Sequence, residues 1–502
     1  MKIKALSELQ KILIKHKKQN EEIVHCHGVF DLIHPGHLQY FKEAKKFGDV
    51  LVVTISPDQY VNKGPGRPIF NQWLRAESLA ALEFIDYVAV NESPTAVETI
   101  LLLQPDFYIK GGEYKDLQDL TGNISKEKDA IEGIGGKMAF TNDSVTFSST
   151  QLLNKHFSVF SHHTDDYLQQ LRRDYTALEI INMIKTVRSC RAIVIGDTII
   201  DEYYFCQVLG VASKSTTINA EFVDSESQLG GAGAVANHVA SFCDDVHFIT
   251  CIGSNQSYEN FILDSLKSNI TTKLYTKPNS STTIKRRYMN GNTRIFQLSI
   301  LNQVPLDDDV TNQVCNYVAS VVENYDIVIM QNCGHGFIEP KIMEAISQTA
   351  SYTAINSQTN SANMGFNLVS QCTNADYLCL DEREIRLACR DKFSPVEDLI
   401  PQIAELTGST CVTVTRGREG SITWRPDCGI LHAPAFIAET IDSTGAGDTY
   451  FAVTAPVVAF GFAPELIGFI GNCAGAMSTR VLGNRESIDA TALYRFITTL
   501  LK

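Results

Sequence analysis

The chain has 502 residues, which is too long for one ordinary hydrophobic core and predicts two or three domains. Its composition, 44% hydrophobic and 20% charged, is typical of a soluble globular protein and excludes a disordered or fibrous one. A formal net charge of −14 repels phosphate backbones and anionic lipid, so we expect neither nucleic acid nor a membrane as a partner.

Three features of the chain predict a cytoplasmic protein. Residues 1–20 mix lysines with apolar side chains and lack the unbroken apolar core of a signal peptide, so they predict a surface helix. The most apolar stretch, residues 451–477, is interrupted by Pro456, Pro464 and Glu465, which favours buried helices over a membrane span. The 13 cysteines include no Cys-x-x-Cys pair, which predicts reduced thiols rather than a zinc site or a disulfide framework.

The first part of the chain alternates short β-rich runs with helical patterns. The predicted strands lie at residues 50–56, 87–90 and 107–110, and the helices at 38–47 and 72–84. That order predicts a parallel sheet with helices on both faces. A polar stretch at residues 161–173 then predicts the start of a linker helix.

A second set of strands begins at residue 192. These strands are predicted at residues 192–197, 246–253, 327–332, 352–356, 377–381 and 411–417. Helical patterns separate most of them, which predicts a second and larger α/β domain. We therefore divide the chain into an α/β domain at 1–160, a linker helix at 161–180 and a second α/β domain at 181–502.

A histidine pair marks the first candidate site. His34-Pro-Gly-His37 follows a predicted strand and opens a helix, and Gly36 permits a close approach of the backbone. Because a helix N-terminus carries about half a positive charge, two imidazoles three residues apart can both face an α-phosphate there. The candidate phosphate-binding residues are Gly28, Phe30, Asp31, His34, Gly36 and His37.

The Gly-Val-Phe-Asp-x-x-His-x-Gly-His pattern resembles that of the cytidylyltransferase-like nucleotidyltransferases, which implies a Rossmann-like domain. In that family the two histidines stabilise charge on the α-phosphate during in-line attack, so the resemblance implies catalytic roles for His34 and His37. The resemblance extends over the first domain and implies further nucleotide or phosphate contacts at Arg75, Lys110, Gly111, Gly112, Ser148, Ser149 and Thr150.

The segment Lys110-Gly-Gly-Glu-Tyr and the preceding Gly-Arg-Pro-Ile resemble most closely the adenylyltransferase half of the bifunctional heptose phosphate enzymes of lipopolysaccharide-core synthesis. Glycerol-phosphate and ethanolamine-phosphate cytidylyltransferases share the histidine motif, and His27 stands where the heptose enzymes usually carry Asn. Both ATP and CTP therefore stay open as the nucleotidyl donor. A non-sugar alcohol phosphate stays open as the acceptor.

A glycine-rich turn marks the second candidate site. It reads Asp-Ser-Thr-Gly-Ala-Gly-Asp, ends at Asp448 and precedes an apolar helix. The backbone amides of Gly445, Ala446 and Gly447 would form an anion hole. Asp448 would then stand ready to take a proton from an attacking hydroxyl.

This turn resembles the signature of the ribokinase-like carbohydrate kinases, which implies an α/β/α domain with Asp448 as the catalytic base. Two upstream segments match the same family, Gly-Asp197-x-x-x-Asp201 and the Gly-Gly turn that runs to Asn237. The resemblance implies a sugar site at Asp197, Asp201, Gly230, Gly231, Asn237 and Lys285, nucleotide contacts at Thr415 and Gly417, and a magnesium-associated acid at Glu384.

Several positions in the second domain depart from the heptose phosphate kinases. Asn332 and His335 stand where those kinases carry Asp and Lys, and Asn356-Ser-Gln358 replaces Asp-Pro-Lys. Neutral groups change which hydroxyls or phosphates can be paired, and an unpaired buried group costs about 1–3 kcal/mol. The order of the two domains is also reversed relative to the familiar bifunctional heptose enzyme.

The two resemblances together imply two steps of one activation route. ATP would phosphorylate a sugar or sugar phosphate, and ATP or CTP would then convert a sugar phosphate to an NDP-sugar and pyrophosphate. Both steps imply Mg²⁺, and we expect a homo-oligomer, a dimer. A second domain that has lost catalysis and senses a sugar stays open, because Asn332 and Asn356 favour it while Asp448 opposes it.

Overall fold

The computed structural model describes residues 2–61, 67–112, 123–141, 160–301, 304–372, 374–437 and 440–502. The chain forms two compact units, one of Met1–Ser161 with Tyr494–Lys502 and one of His162–Leu493. Each unit is an α/β structure, as the alternating patterns predict.

The first unit contains a five-stranded parallel sheet in the order β3-β2-β1-β4-β5. The strands are β1 (Ile23–Gly28), β2 (Val50–Ile55), β3 (Tyr87–Val90), β4 (Phe107–Lys110) and β5 (Lys137–Phe140). The helices are α1 (Leu6–Lys18), α2 (Pro35–Ala44), α3 (Gln72–Ala80), α4 (Val97–Leu103) and α5 (Asn123–Gly133). The strand order reverses beside β1, and the carboxyl end of such a strand is where open α/β sheets bind ligands.

The core of the first unit follows from its patterning. All six residues of β2 are buried, as expected of a parallel strand covered on both faces. The predicted surface helix is α1, which buries Leu6, Leu9 and Leu13 on one stripe and leaves its lysines outside.

The second unit is built on a nine-stranded sheet in the order β10-β9-β6-β13-β14-β15-β16-β17-β18, in which β17 runs antiparallel to its two neighbours and the other pairs are parallel. Its strands are β6 (Arg191–Gly196), β9 (Asp245–Asn255), β10 (Ile270–Ser281), β13 (Ile327–Asn332), β14 (Thr353–Ser357), β15 (Tyr377–Asp381), β16 (Cys411–Thr415), β17 (Ser421–Arg425) and β18 (Gly429–Ala433). The six strands predicted from residue 192 onward are all present within this sheet.

A second sheet of four strands, in the order β12-β11-β7-β8, was not predicted from the sequence. Its strands are β7 (Thr198–Val211), β8 (Ile218–Gly231), β11 (Thr283–Asn290) and β12 (Thr293–Ile300). The register pairs Asp201 of β7 with Lys285 of β11. This sheet therefore places two candidate site residues on adjacent strands.

Ten α-helices of the described chain lie wholly within the second unit. They are α6 (His162–Asp174), α7 (Ala177–Thr186), α8 (Ala232–Val239), α9 (Glu259–Ser265), α10 (Asp308–Val321), α11 (Pro340–Thr349), α12 (Glu382–Cys389), α13 (Val396–Thr407), α14 (Ala446–Ala459) and α15 (Pro464–Ser478). A final helix, α16 (Ala490–Leu501), contains the boundary at residue 494. Among the described helices, none is long and apolar enough to cross a membrane.

The segment predicted as a linker begins with α6, which packs within the second unit. Leu168 and Leu171 are buried, and the Tyr167 hydroxyl donates to the carbonyl of Glu465 at 3.3 Å. The Tyr175 hydroxyl donates to the Glu465 carboxylate at 2.8 Å. These contacts tie α6 to the start of α15.

Candidate active sites

The first candidate site begins with a tight turn at the carboxyl end of β1. Phe30 has a φ of 48°, and a Cβ on Gly28 would lie only 2.9 Å from its ring. The Phe30 ring packs edge-on against His37, with the ring centroids 5.4 Å apart, and also contacts Phe41. The glycine at position 28 thus allows the turn that supports the histidine motif.

The histidine pair lies at the N-terminus of α2. His34 is the extended N-cap residue, Pro35 is the first helical residue, and Gly36 follows it. The rings of His34 and His37 stack with centroids 3.9 Å apart and an interplanar angle of 26°. The structure therefore brings both predicted imidazoles to one helix N-terminus, where the helix dipole favours an anion.

Asp31, predicted as a nucleotide contact, is bonded within the protein. Its buried carboxylate accepts hydrogen bonds from the backbone N–H groups of Ile69 at 3.0 Å and Phe70 at 3.1 Å. The Arg67 guanidinium lies 3.4 Å from the same carboxylate. Asp31 therefore holds the segment that leads into α3.

Arg75, predicted as a phosphate contact, has a side chain with no exposed surface. Its guanidinium donates to the carbonyls of Phe70 at 2.9 Å, Val29 at 2.5 Å and Ser56 at 2.9 Å, and it pairs with Asp58 at 2.6 Å. These protein groups accept from the guanidinium N–H groups that would otherwise donate to a phosphate. Arg75 thus positions the turns after β1 and β2, and its contact with a phosphate stays a prediction.

Lys110 ends β4, followed by Gly111 and Gly112. The Lys110 ammonium lies 2.8 Å from the Glu127 carboxylate, and it lies over the Tyr108 ring, 5.1 Å from the centroid. No sequence signal marked Glu127, which reads as an ordinary polar residue of α5. Ser148, Ser149 and Thr150 lie outside the described residues.

His27 lies at the same sheet edge and was noted only for its unusual identity. One ring nitrogen, Nδ1, lies 2.9 Å from the Thr54 hydroxyl, and Nε2 lies 3.3 Å from the Ser56 hydroxyl. Burial lowers the pKa of His27 well below its ordinary value, aided by the charge on Lys110. The ring is therefore neutral and offers hydrogen bonds rather than charge.

The second candidate site is organised by the start of α14. Gly445 is the N-cap residue with a φ of 81°, and a Cβ there would lie 2.4 Å from the Asn484 side-chain oxygen. Ala446 and Gly447 form the first helical positions, and Asp448 follows in the first turn. The predicted anion hole and the predicted base thus share one helix N-terminus.

Asp448 is buried and surrounded by polar side chains. Its Oδ1 atom accepts a hydrogen bond from Gln331 Nε2 at 2.9 Å and another from Gln358 Nε2. Burial raises the pKa of the Asp448 carboxyl to about 6, while the nearby Lys285 ammonium and the two amides oppose that rise. A carboxylate of this kind is ionised at neutral pH and is basic enough to accept a proton.

Asp201 faces the same region from β7. Its carboxylate pairs with the buried Arg287 guanidinium at 2.6 Å and accepts from the Asn484 amide at 3.4 Å. A Cβ on Gly230 would lie 2.4 Å from Asp201 Oδ2, and Gly231, with a φ of 56°, caps α8. Gly230 therefore leaves space beside the predicted sugar-binding carboxylate, and Gly231 adopts the positive φ of the turn.

Asp197 is the other residue predicted to bind the sugar. Its carboxylate oxygens accept hydrogen bonds from backbone N–H groups. It accepts hydrogen bonds from the N–H groups of Cys333 at 3.1 Å, His335 at 3.2 Å and Phe337 at 3.1 Å. Burial raises the pKa of Asp197, and these three bonds oppose that rise. Asp197 thus fixes the loop after β13, and its contact with a sugar stays a prediction.

Asn237 is predicted to contact the sugar, and its side chain bonds to a neighbouring turn. Its amide donates to the Ser265 carbonyl at 2.9 Å and its oxygen accepts from the Lys267 N–H at 3.0 Å. Both ends of the side chain are used by the turn after α9. Asn237 thus holds that turn, and its contact with a sugar stays a prediction.

Glu384 lies in the first turn of α12 as half of a capping box. Its carboxylate accepts from the N–H groups of Asp381 at 2.8 Å and Thr359 at 2.9 Å. Burial raises the pKa of Glu384 to about 8, and the Asp381 charge adds to that rise. Across the described ranges, no group of three His, Cys, Asp or Glu side chains could hold a metal ion.

The predicted nucleotide contacts Thr415 and Gly417 lie at the end of β16 and in the turn after it. The Thr415 hydroxyl donates to the Leu380 carbonyl at 3.3 Å, and Gly417 has a φ of 56°. Arg416 between them pairs with Glu382 at 3.0 Å.

The two asparagines that replace charged residues are used by the backbone. Asn332 accepts from the Gly334 N–H at 3.0 Å, and Asn356 donates to the Cys379 carbonyl at 2.7 Å. Gln331, Arg287 and Asn484 also lie at this site and were not predicted from the sequence. Gln331 carried one usable signal, because a polar residue at the carboxyl end of a parallel strand commonly lines the site.

Two regions of the chain, one in each unit, match known protein families. Residues 25–155 match the Cytidylyltransferase-like family model, and residues 191–491 match that of the pfkB family carbohydrate kinases. The Bifunctional protein HldE of a Nitratiruptor species is 40% identical over 137 residues, which are 27% of this chain and 30% of that protein. HldE of Campylobacter jejuni subsp. jejuni serotype O:2 is 39% identical over 131 residues, 26% of this chain and 28% of that protein. The chain thus spans about 30% of the length of these curated relatives.

A solved structure shares the fold of the second unit. Phosphofructokinase-2 from Escherichia coli in complex with potassium has a TM-score of 0.50 and 14% identity, covering 62% of this chain and 99% of that chain. The predicted order of the two regions, transferase-like before kinase-like, is confirmed. Because the pfkB family model covers well over half of the residues, the chain belongs to the pfkB family of carbohydrate kinases, with a cytidylyltransferase-like domain preceding the kinase fold.

Proposed function

We propose that the chain is a bifunctional enzyme of nucleotide-sugar synthesis, of the kind that supplies lipopolysaccharide or another surface polysaccharide. The second unit would transfer a phosphoryl group from ATP to a hydroxyl of a heptose-like sugar or sugar phosphate. The first unit would transfer a nucleotidyl group from ATP or CTP to a sugar phosphate. The observation that carries the proposal is the buried, ionisable Asp448 in the first turn of α14, directly after the Gly445 turn.

The phosphoryl transfer follows from that placement. The N-terminus of α14 would bind the nucleotide phosphates through its backbone amides, because the helix dipole and the free N–H groups both favour an anion. Asp448 would accept the proton of the acceptor hydroxyl as it attacks. Lys285 would neutralise charge beside it, and Asp201 with Gly230 and Gly231 would hold the sugar.

The nucleotidyl transfer needs a different arrangement. The acceptor is already a phosphate and is ionised, so no strong base is required and the rate depends on positioning and charge stabilisation. His34 and His37 would stabilise the charge that develops on the α-phosphate. The turn at Gly28 and Phe30 would hold the two rings in place.

Magnesium would enter with the nucleotide phosphates, since Mg²⁺ is commonly held by one or two carboxylates together with substrate oxygens. In the second unit Glu384 is the predicted contact, and it lies close to Asp448, because it accepts from Thr359, next to the Gln358 that donates to Asp448. Its pKa of about 8 means that the ion would displace a proton from this side chain on binding. The ion would offset phosphate charge there.

We further propose a cytoplasmic homodimer in which residues 1–160 and 181–502 hold the two activities, with the linker at 161–180 contributed mainly by α6. The proposal of two activities is supported by the two separate family matches, each of which contains its own helix N-terminal site.

A substrate screen on the full chain tests the proposed function. We would incubate the chain with a panel of sugars, sugar phosphates and alcohol phosphates, and measure ADP and pyrophosphate release with ATP or CTP. Asp448→Asn and His37→Ala serve as matched controls that each disable one unit. We expect ADP release lost only in the first variant and pyrophosphate release lost only in the second. Absence of ADP with every sugar would favour a sugar sensor, and pyrophosphate from an alcohol phosphate alone would favour a cytidylyltransferase of another class.

A further inference from the structure

Two glutamine side chains converge on Asp448 from neighbouring strands. Gln331 lies near the end of β13, and Gln358 directly follows β14. These strands are parallel and adjacent, with Gln331 paired to Asn356 in the register. Both amides therefore reach the carboxyl edge of the sheet, where α14 presents Asp448.

Both hydrogen bonds go to the same oxygen of the carboxylate. Gln331 Nε2 lies 2.9 Å from Asp448 Oδ1, and Gln358 Nε2 also donates to Oδ1. Over the ranges that the structure describes, no side chain or backbone group donates to Oδ2. An amide nitrogen can only donate, so the pair of bonds favours the ionised carboxylate and leaves Oδ2 as the acceptor.

Packing alone does not account for a glutamine at position 331. Gln331 is fully buried, and its Oε1 atom has no hydrogen-bond partner among the described residues. A buried acceptor left unpaired destabilises a fold, and a methionine of similar size would avoid that cost. The contribution of the side chain therefore lies in its Nε2 donor.

We propose that Gln331 and Gln358 are positioning residues that fix the Asp448 carboxylate, with Oδ2 turned to the acceptor hydroxyl, and hold it ionised. The inference rests on the proposed kinase function of the second unit. Asp448 Oδ2 accepts the hydroxyl proton as the oxygen forms its bond to phosphorus and the bond to the ADP oxygen breaks. The amides keep their own protons throughout.

Other ionisable groups around Asp448 also influence whether its carboxyl group is ionised. They are Lys285 on β11, Asp201 on β7, Glu384 on α12, Cys333 after β13 and Cys379 on β15. Lys285 favours the ionised carboxylate, whereas Asp201 and burial oppose it. The two amides act in the same direction as Lys285 without adding a charge to the site.

The kinetic test uses Gln331→Met and Gln358→Met in the full chain. The matched control is Gln402→Met, which removes an exposed glutamine on α13 that donates to the Asp398 carbonyl. A lost hydrogen bond to a charged group corresponds to about a 10- to 100-fold effect. We therefore expect kcat for ADP formation to fall by about that factor in each variant, with a smaller change in KM. The midpoint of the pH–rate profile should move to higher pH.

Combination with Asp448→Asn separates positioning from general damage. If the glutamines act through Asp448, Gln331→Met should cause no further loss in the Asp448→Asn background. An equal loss in both backgrounds, or an unchanged kcat and pH midpoint, would overturn the proposal. A rise in kcat for Gln358→Met would also overturn it, because that amide would then block the base.

A stability measurement decides the proposal without a known substrate. The melting temperature of each protein, relative to its Asp448→Asn counterpart, should fall as pH rises until Asp448 is fully ionised. Without either donor the fall should extend to higher pH than in the wild type. An identical pH range in wild type and both variants would refute the proposal, whatever the outcome of the substrate screen.

Discussion

Replacing Asp448 by Asn should lower activity and raise stability together. Asparagine keeps a side-chain oxygen that can accept from Gln331 and Gln358, so the local structure should persist. It cannot accept a proton, and loss of a general base lowers rates by about 10²–10⁴-fold. We expect ADP production to fall by that factor while nucleotide affinity, measured by calorimetry, changes little.

The stability gain follows from the buried charge. Burial raises the pKa of Asp448 from 3.8 to about 6, and a tenfold change in a protonation equilibrium corresponds to about 1.4 kcal/mol. Because the folded state holds the proton more tightly than the unfolded one, stability falls as pH rises from about 4 to about 6. Holding the ionised carboxylate at pH 8 therefore costs the fold about 3 kcal/mol.

Thermal unfolding at two pH values checks this reasoning. Asp448→Asn should melt several degrees higher than the wild type at pH 8, and the gain should shrink to about half at pH 5. Asp427→Asn, at an exposed turn of the same unit, is the control and should show no such gain. A variant with wild-type ADP production, or one that melts lower at pH 8, would refute the role assigned to Asp448.

Three further outcomes are expected. His34→Ala or His37→Ala should lower pyrophosphate release by about 10²–10³-fold and leave ADP production intact, because the two helix N-termini serve different reactions. Undiminished pyrophosphate release from the double variant would remove both histidines from the mechanism. The kinase rate should rise with pH through about 6 and then level off, since Asp448 acts in its ionised form, and a rate already constant from pH 5 to 8 would contradict this. A protein of residues 162–502 should give a folded circular dichroism spectrum and one cooperative melt, whereas a cut at residue 175 should lower the melting temperature by removing Tyr167 and its bond to Glu465.

The central strands could be predicted well because parallel strands covered on both faces read as unbroken apolar runs. Residues 327–332 and 377–381 were predicted with the bounds that the structure has. The four-stranded sheet was not predicted, because its strands are not covered on both faces. Most of β8 is exposed, so its sequence carries polar residues on both faces and no apolar alternation marks it as a strand.

The sequence indicated both candidate sites through a glycine turn that meets a helix start. A positive φ at Gly445 and Gly231 is a local requirement, and local requirements are visible in a sequence. The contacts that Arg75 and Asn237 make with carbonyls and amides elsewhere in the chain could not be predicted from the sequence. Gln358 reaches Asp448 across 90 positions, a contact that only the strand order creates.

In each unit some polar side chains hold the loops beside the candidate site, and others are placed to act on a ligand. Asp31 and Asp197, both buried, use their carboxylates to accept from backbone N–H groups of the loops beside each site. The groups placed to act on a ligand, His37 and Asp448, lie instead in the first turn of a helix. A side chain in the first turn lies beside the backbone amides that favour a bound anion, whereas a carboxylate behind the loop has its hydrogen bonds satisfied before any ligand arrives. Substitutions at Asp31 or Asp197 should therefore act through loop structure, and those at the helix starts through the reaction itself.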